Sequence, residues 1–202
     1  MAKLAPQLEL ERCPHCAVDR PNLLVKHHLV TKDHEGKNER HWKLYVCSRC
    51  GGAVIAWSLV DGGPVLEAHP STPEVNTAIP SPARDYLKQS LESIHAPAGA
   101  VMLAASAVDA MLKAKGYKEG SLYQRIDKAV QDHLITAEMG KWAHEVRLDA
   151  NEPRHADDSA PLPTEAGAKK AVDFVQALAQ FLFVLPARVE RGLEAAKDRG
   201  EK

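Results

Sequence analysis

Apolar side chains recur every three or four positions through much of the second half of the chain, which is the pattern of helices that pack against one another. Ser81 and Pro82 are typical of a helix start, and the first helix is predicted from there to about His95. The second follows Pro97 and carries apolar residues at helical spacing until Gly116 ends it, so we expect it to be largely buried.

Three more helices are predicted in the same half of the chain. A capping-box pattern at Ser121 starts the third, and Thr136 and Thr164 can cap the fourth and the fifth. A polar loop punctuated by prolines follows the fourth helix, from residue 151 to 163, and Pro186 is expected to kink the fifth. Together these segments predict a bundle of about five helices.

The N-terminal residues follow a different pattern, in which the stretches 41–46 and 53–60 alternate or run apolar like two hairpin strands. These stretches flank the second of two cysteine pairs, each separated by two residues. The four cysteines are Cys13, Cys16, Cys47 and Cys50. This spacing lets both thiolates of a turn reach one tetrahedral metal ion at about 2.3 Å, so the region is predicted to be a zinc ribbon.

The zinc ion is expected to be structural. Four thiolates close its tetrahedral shell and leave no position for a reactive water. His15, inside the first pair, could replace a cysteine, but with four thiolates available we expect it to face solvent. Disulfides form mainly in oxidising compartments, so we do not expect them in a cytoplasmic protein. The alternative of four incidental free cysteines is disfavoured by the paired spacing.

Composition divides the chain into four parts: a four-cysteine zinc ribbon over 1–60, a proline-rich linker or strap over 61–80, a helical bundle over 81–186, and a charged helical tail over 187–202. Proline, glycine, serine and threonine dominate the second part and favour extended or turning chain. The predicted fold class is therefore mainly α, a helical bundle preceded by a small β zinc ribbon.

Charge and hydropathy limit the location and the partners of the protein. The 26 basic and 27 acidic residues give a net charge of -1, so the whole chain has no pull toward nucleic acid. We find no signal peptide and no uninterrupted apolar run of about 18 residues, so we expect a cytoplasmic protein without a membrane partner. Residues 26–43 are rich in Lys, Arg and His and could contact phosphate, but interleaved carboxylates favour a solvated surface.

One further group of residues carries chemistry. His144, Arg147 and Asn151 share a helix face because residues three and four apart stack, and His155 joins them if the helix persists. A guanidinium can hold a phosphate bidentately while an imidazole moves a proton near neutral pH. Such a pair suits metal-free cleavage of RNA by its own 2′-hydroxyl.

A structural role for these residues is the alternative, and the residues by themselves favour it. Arg147 can pair with a carboxylate such as Asp109 or Asp149, Asn151 can cap a helix end, and His155 can close a turn. Short spacings between arginine and histidine are frequent in structural ion-pair networks as well as in functional sites. Both interpretations remain open at this point.

Five features occur in an order that resembles the bacterial family called domain of unknown function 4145, from about residue 11 to about residue 186. They are CPHC, WKLYVCSRCGG, IPSPARDYLKQSL, SLYQRIDKAV, and the set Arg147, Asn151 and His155. That family is similar to the HEPN superfamily of helical bundles, found in toxins, defence systems and restriction-associated proteins. The resemblance implies an HEPN-like fold and a homodimer in which Arg147 and His155 of both chains meet in one groove, with Asn151 between them.

Two functions follow from the resemblance. The first is a dimerising module that associates with nucleic acid or a partner protein, without catalysis, in bacterial or phage defence or toxin-type systems. The second is a metal-independent endoribonuclease in which Arg147 holds the phosphate, His155 acts as general acid or base, and Asn151 lies beside them. A ribbon that reads DNA ranks last, because it needs a basic face that the charge balance does not provide.

Overall fold

The structure is a computed structural model that describes residues 2–71, 75–155 and 162–200, with side chains described for all of these except 152–155 and 198–200. The chain divides into two compact units, residues 1–73 and 74–202, which we call the ribbon unit and the helical unit. All described strands lie in the first unit and all described helices in the second. The expectation of a mainly helical chain therefore holds in part.

The ribbon unit is a five-stranded antiparallel sheet in which each strand pairs with the next along the chain. Its strands are β1 (Gln7–Leu8), β2 (Leu23–Thr31), β3 (Arg40–Cys47), β4 (Ala53–Ser58) and β5 (Glu67–His69). The two predicted strands are confirmed as β3 and β4. The sequence pattern does not predict β2, since Lys26, His27 and His28 interrupt its apolar run and most of its side chains are exposed.

One face of this sheet packs on the N-terminal segment of the chain. Tyr45 of β3 is fully buried there together with Leu4 and Leu8. Its hydroxyl donates a hydrogen bond of 2.8 Å to the carbonyl oxygen of Ala5, and burial raises the pKa of Tyr45 to about 12. The segment before β2 therefore belongs to the ribbon core.

The helical unit is built around one central helix. Its elements are α1 (Ala83–Glu92), α2 (Pro97–Ala114), α3 (Leu122–Gln131), α4 (Ala137–His155), α5 (Glu165–Ala179), a π-helical turn (Gln180–Val184) and α6 (Leu185–Gly200). Helix α2 packs against α1, α3, α4 and α5. Small side chains such as Ala104 and Val108 are fully buried along it, which confirms that the second predicted helix is largely buried.

Three of the predicted helix caps are confirmed. The side chain of Ser121 accepts the amide of Gln124, whose side chain in return accepts the amide of Ser121. The hydroxyl oxygens of Thr136 and Thr164 each accept a backbone amide three residues later. These caps satisfy amides that have no partner within their own helix.

The predicted start of the first helix is wrong. Helix α1 begins at Ala83 with Pro82 as its cap residue, and it ends at Glu92 rather than near His95. The hydroxyl of Ser81 donates to the carboxylate of Asp85 at 2.5 Å, and α1 has no side-chain cap hydrogen bond.

The predicted loop after the fourth helix also begins too early. Helix α4 continues through Pro153 to His155, although the proline-rich pattern indicates a break from residue 151. Proline removes one hydrogen bond of the helix, the one to the carbonyl of residue 149, but it keeps a helical φ. Residues 156–161 of the predicted loop lie outside the described residues.

The last helix contains a π-helical turn directly before Pro186. The amide of Leu185 bonds to the carbonyl oxygen of Gln180, five residues earlier, which is the geometry of a π-helical turn. Pro186 follows at once and has no N–H with which to bond the carbonyl of Leu182. The helical tail then continues to Gly200.

By length and composition alone, two helices reach the apolar character of a membrane-spanning segment, Pro97–Ala114 and the continuous helix Glu165–Lys197. The sequence pattern leads us to expect none. Core helices of globular proteins pass the same test, and half of the window in α2 is buried inside the structure. The absence of a membrane partner therefore stays a prediction.

Candidate functional site

The first cysteine pair lies on a tight turn that directs amides toward sulfur. The amide of Ala17 bonds to the carbonyl oxygen of Cys13 at 2.9 Å, and the amide of Cys13 bonds to the carbonyl oxygen of Val18 at 3.0 Å. The sulfur of Cys13 accepts the amides of His15 and Cys16, and the sulfur of Cys16 accepts the amide of Val18. Such amide bonds stabilise thiolates.

The second cysteine pair repeats this turn bond for bond. The amide of Gly51 bonds to the carbonyl oxygen of Cys47 at 2.9 Å, and the amide of Cys47 to the carbonyl oxygen of Gly52 at 3.0 Å. The sulfur of Cys47 accepts the amides of Arg49 and Cys50, and the sulfur of Cys50 accepts the amide of Gly52 at 3.4 Å. The two turns are therefore equivalent in their hydrogen bonding.

The two turns bring four sulfurs into one cluster. All four lie within 4.8 Å of one another, and those of Cys13 and Cys50 are 3.9 Å apart. A tetrahedral zinc ion with Zn–S bonds of about 2.3 Å needs sulfurs about 3.8 Å apart. None of the four forms a disulfide. The arrangement therefore fits a tetrahedral metal ion, and soft thiolate ligands favour zinc, iron or copper(I) over harder ions.

The thiols differ in how readily they lose a proton. Burial raises the pKa of Cys13, and it raises that of Cys16 to about 12. Burial also opposes ionisation of Cys47, but the amides of Cys50 and Arg49 together with the thiols of Cys13 and Cys50 outweigh it and lower the pKa to about 7. Metal binding to such a set displaces thiol protons, so it is coupled to pH.

His15 lies beside the cluster but is not part of it. Its side chain is exposed, and its Nε2 lies 2.8 Å from the carbonyl oxygen of Ala53. The ring covers Gly52 so closely that a Cβ at that position would lie 2.4 Å from His15 Cδ2. A side chain at position 52 would therefore displace the His15 ring, whereas glycine leaves room for it.

The helical unit contains a second candidate site, a cavity of about 440 Å³ between α2, α3 and α4. Polar side chains that line it include Ser106, Tyr123, Arg125, Arg147 and Asn151. Tyr123 is half exposed, so one side of the cavity wall is an accessible aromatic ring. The fourth helix therefore presents two of the three motif residues to one cavity.

Arg147 lies against this aromatic ring and pairs with no carboxylate among the described residues. Its guanidinium carbon lies 5.4 Å from the centroid of Tyr123, and its Nε is buried without a hydrogen-bond partner among the described residues. The carboxylate of Asp109 is engaged elsewhere, by Arg125 at 2.7 Å and by Lys113 at 2.6 Å. A buried donor without a partner is costly unless a ligand or water satisfies it.

His144 shares the same environment one turn earlier in α4. Its Nε2 lies 2.9 Å from the carboxylate of Asp127, and its ring packs on Tyr123 at 4.8 Å between centroids. Its Nδ1 is also buried without a partner among the described residues. Because an ionised carboxylate can only accept, Nε2–H donates this hydrogen bond, and Nδ1 is an acceptor in that neutral tautomer.

Of the four residues predicted on this helix face, His144, Arg147, Asn151 and His155, the structure places two at the cavity and leaves the side chain of one undetermined. Arg147 and Asn151 line the cavity, and His144 contacts its tyrosine. The backbone of α4 reaches His155, but the side chain of His155 lies outside the described residues. Its role stays a prediction, as does that of Asn151, which lies within α4 rather than at its end.

Sequence reasoning missed Tyr123, Arg125 and Asp127, which α3 contributes to this site. The spacing of Tyr123 and Asp127 places both on one helix face, and this signal was available in the sequence. Their contact with α4 was not available, since it depends on how two helices cross.

The histidine-rich and lysine-rich segment 26–43 forms much of the β2–β3 hairpin and its turn. In the turn, Lys32 pairs with Glu39 at 3.0 Å and Lys37 with Glu35 at 2.9 Å. Interleaved carboxylates therefore neutralise part of this segment. Contact between the segment and phosphate stays a prediction.

Comparisons with known proteins relate the helical unit to one family. A search of curated proteins found no match, and a search of solved structures found none either. A family model described as "Domain of unknown function (DUF4145)" matches residues 89–196, more than half of the chain. The match begins within α1 and includes the cavity and both cavity-lining motif residues. The chain belongs to the DUF4145 family.

Proposed function

We propose that this protein is an RNA-binding module whose helical unit recognises a phosphate of the RNA at Arg147. The observation that carries the proposal is the buried Nε of Arg147, which has no partner among the described residues and belongs to a side chain that lines a cavity. Arginine binds phosphate through two parallel hydrogen bonds, one of them commonly from Nε. A bound phosphate therefore supplies the partner that this donor lacks.

The rest of the cavity suits a nucleotide. Asn151 lies one turn beyond Arg147 and brings an amide that can donate to a phosphate or sugar oxygen. Tyr123 adds an exposed ring on which a base can stack. Arg125 adds no free charge, since Asp109 neutralises it at 2.7 Å. Recognition in this proposal is therefore local, in keeping with a net charge of -1.

The metal has a structural role in the proposal. Cys13, Cys16, Cys47 and Cys50 are the residues that would hold a zinc ion, and four thiolates leave it no open coordination position. A bound zinc ion would supply folding free energy to a unit with a small core. The chemistry of recognition then belongs to the helical unit.

A second candidate function is a metal-independent endoribonuclease, which the continuity of α4 from Arg147 to His155 favours. In this reaction one His155 takes the proton of a 2′-hydroxyl, and the 2′-oxygen attacks the phosphorus that Arg147 holds. The P–O5′ bond breaks, and His155 of the partner subunit protonates the leaving oxygen. The products are a 2′,3′-cyclic phosphate and a 5′-hydroxyl, with no change in oxidation state.

For the cellular setting we propose a cytoplasmic homodimer with an HEPN-like helical unit, acting in bacterial or phage defence or in a toxin-type system. The proposal rests on the order of sequence motifs that the DUF4145 family shares with HEPN proteins. Sedimentation velocity tests the proposed homodimer: a dimer is expected at micromolar concentration. A strict monomer would contradict both the dimer and the shared groove.

The phosphate site is tested by fluorescence anisotropy of a labelled single-stranded RNA with the full, zinc-loaded chain. Losing a charge-assisted pair should weaken binding about 10-fold or more in Arg147→Gln. Arg188→Gln is the matched control, because it removes the same charge from an exposed position of α6. Equal affinities for the wild type and Arg147→Gln, or equal losses in the two variants, would show that the cavity does not bind phosphate.

The same RNA distinguishes the two candidate functions. If the protein is a ribonuclease, His155→Ala should lower cleavage by about 10²- to 10⁴-fold while binding persists. If wild-type protein binds the RNA and leaves it intact over hours, the enzyme hypothesis is wrong and the binding module stands.

A further inference from the structure

The face of the ribbon sheet opposite its core carries a continuous set of large apolar and aromatic side chains. Antiparallel register places Leu29, Trp42 and Trp57 side by side across β2, β3 and β4. Leu44 and Ile55 form the next row of the same face. We call these five residues together with Arg40 the tryptophan face. None of them belongs to the buried core cluster of the ribbon unit.

Both indole rings of the tryptophan face are fixed in place by their own hydrogen bonds. Trp42 Nε1 donates to the hydroxyl of Thr31 at 2.9 Å, and Trp57 Nε1 donates to the carboxylate of Glu67 at 3.2 Å. The ring centroids lie 5.7 Å apart with an angle of 36° between the planes. Because the polar atoms of the indoles are satisfied, the rings offer a ligand their π surfaces and their edges, and no free donor.

Positive charge lies directly on this aromatic surface. The guanidinium carbon of Arg40 is 4.7 Å from the centroid of Trp57, in the range of a cation–π contact. His27 and His69 lie in the next row, on either side of Leu44 and Ile55. The carboxylate of Glu67 is occupied by Trp57 and by His69 at 3.4 Å. Arg40 therefore gives the face a permanent cation beside a carboxylate that is already hydrogen-bonded.

We propose that the tryptophan face binds single-stranded RNA, with bases stacked on Trp42 and on the Arg40–Trp57 pair. Fixed aromatic rings accompanied by arginine are the elements with which proteins bind single strands, since every base has a π-face and every nucleotide a phosphate. The choice of RNA over DNA rests on the proposed function of the helical unit. The face itself is a separate site, built by strands and not by helices.

The alternatives fit the face less well. A duplex keeps its bases stacked inside and offers none to an indole ring. A purely apolar protein surface would have to desolvate the Arg40 guanidinium that lies on Trp57.

The experiment titrates the full, zinc-loaded protein with a twelve-residue oligouridylate and follows tryptophan fluorescence and anisotropy of a labelled copy. We expect quenching on binding, because a stacked base quenches indole emission. Trp57→Leu and Trp42→Leu should each weaken binding about 5-fold or more, and Arg40→Gln should reduce its salt dependence. Trp57→Phe should recover part of the affinity, since it keeps an aromatic ring.

Trp142→Leu is the control for the fluorescence signal. Trp142 lies in α4 of the helical unit, packed on Phe174 at 5.0 Å between centroids, so its loss should leave quenching by RNA intact. Zinc content and circular dichroism of each variant show whether the ribbon is folded. If folded Trp57→Leu and Arg40→Gln bind RNA like the wild type, the proposal is wrong.

Other outcomes separate this inference from the proposed function. If Arg147→Gln weakens RNA binding and the tryptophan variants do not, the cavity stands and the tryptophan face does not bind RNA. If the tryptophan variants weaken RNA binding and Arg147→Gln does not, the tryptophan face binds RNA and the proposed phosphate site in the cavity is wrong. Quenching by a deoxyoligonucleotide but not by RNA, or self-association that Trp57→Leu abolishes without RNA, would overturn the assignment.

Discussion

Ala17 and Gly51 occupy the same position in the two cysteine turns, and both adopt left-handed backbone, with φ of 54° and 71°. Each donates its amide to the carbonyl oxygen of the first cysteine of its pair at 2.9 Å. A residue with a Cβ pays about 1–2 kcal/mol for this conformation, whereas glycine does not. The first turn therefore stores strain that the second avoids.

Exchanging the two residue types should change stability in opposite directions. Ala17→Gly relieves the strain but adds freedom to the unfolded chain, so we expect a net gain of about 0.5 kcal/mol. Gly51→Ala should cost about 1 kcal/mol, although no atom within 4 Å obstructs a Cβ there. Chemical denaturation followed by near-ultraviolet circular dichroism measures both changes.

Gly36→Ala is the control for this pair. Gly36 has a φ of 73° and also has open space around it, but it lies in the β2–β3 turn away from the sulfurs. It should lower stability like Gly51→Ala while leaving zinc affinity unchanged. If Ala17→Gly lowers stability more than Gly51→Ala does, the strain argument is wrong.

Removal of the metal should unfold the two units to different extents. We expect one zinc ion per chain by elemental analysis, and none in the double variant Cys16→Ser, Cys50→Ser. Chelation should abolish the near-ultraviolet signal of Trp42 and Trp57 and spare most of the helical signal, since all described helices lie in the other unit. Full zinc retention in the double variant, or simultaneous loss of both signals, would contradict this.

Arg125 should be a major contributor to the stability of the helical unit. It is 8 % exposed, binds Asp109, and also donates to the backbone carbonyls of Lys118, Glu119 and Gly120 before α3. Arg125→Met leaves a half-buried carboxylate and three carbonyls without this partner, and should cost about 2 kcal/mol in urea unfolding.

Lys113→Met tests the same carboxylate from its exposed side. Lys113 bonds to the other oxygen of Asp109 at 2.6 Å, but half of its side chain is in solvent. The substitution should change the free energy of unfolding by no more than about 0.5 kcal/mol. A larger effect from Lys113 than from Arg125 would show that burial does not decide the strength of this network.

Asp132 should titrate below its ordinary value in the folded protein. The hydrogen bond from Lys128, assisted by Tyr117, holds its pKa below 3.8. Because the folded pKa is the lower one, the carboxylate stabilises the fold fully above 3.8, and this contribution is lost as pH falls through the folded value. Nuclear magnetic resonance of the carboxyl carbon gives the midpoint.

Lys128→Gln should move that midpoint back toward 3.8, because it removes the largest cause of the shift. An unchanged midpoint in this variant would assign the shift to another group.

The elements that local sequence determines were predicted. Paired cysteine spacing specifies a turn and a common metal, and the four sulfurs indeed lie within 4.8 Å. The caps at Ser121, Thr136 and Thr164 depend on residues three positions apart, so a short stretch of sequence contains the whole interaction. Likewise, α2 is apolar nearly all round, and such a helix has to be buried.

Predictions failed where a distant or competing partner decided the outcome. Ser81 has the right residue type for a cap, but its hydroxyl binds Asp85. Strand β2 has a poor apolar pattern and forms because β1 and β3 pair with it on both sides. Helix α4 continues past the proline at 153, since packing along a long helix outweighs one lost hydrogen bond.

The sequence by itself determined the two cysteine turns, the order of the helices and the motif on α4, because each depends on residues close together in the chain. The tertiary structure alone decided what surrounds the motif. Tyr123 and Asp127 of α3 contact His144 of α4, and Asp109 forms an ion pair with Arg125. It also decided that Trp42 and Trp57 share one face, since strand register sets which side chains are neighbours. Contacts between elements follow from how the elements pack, and no local pattern records them.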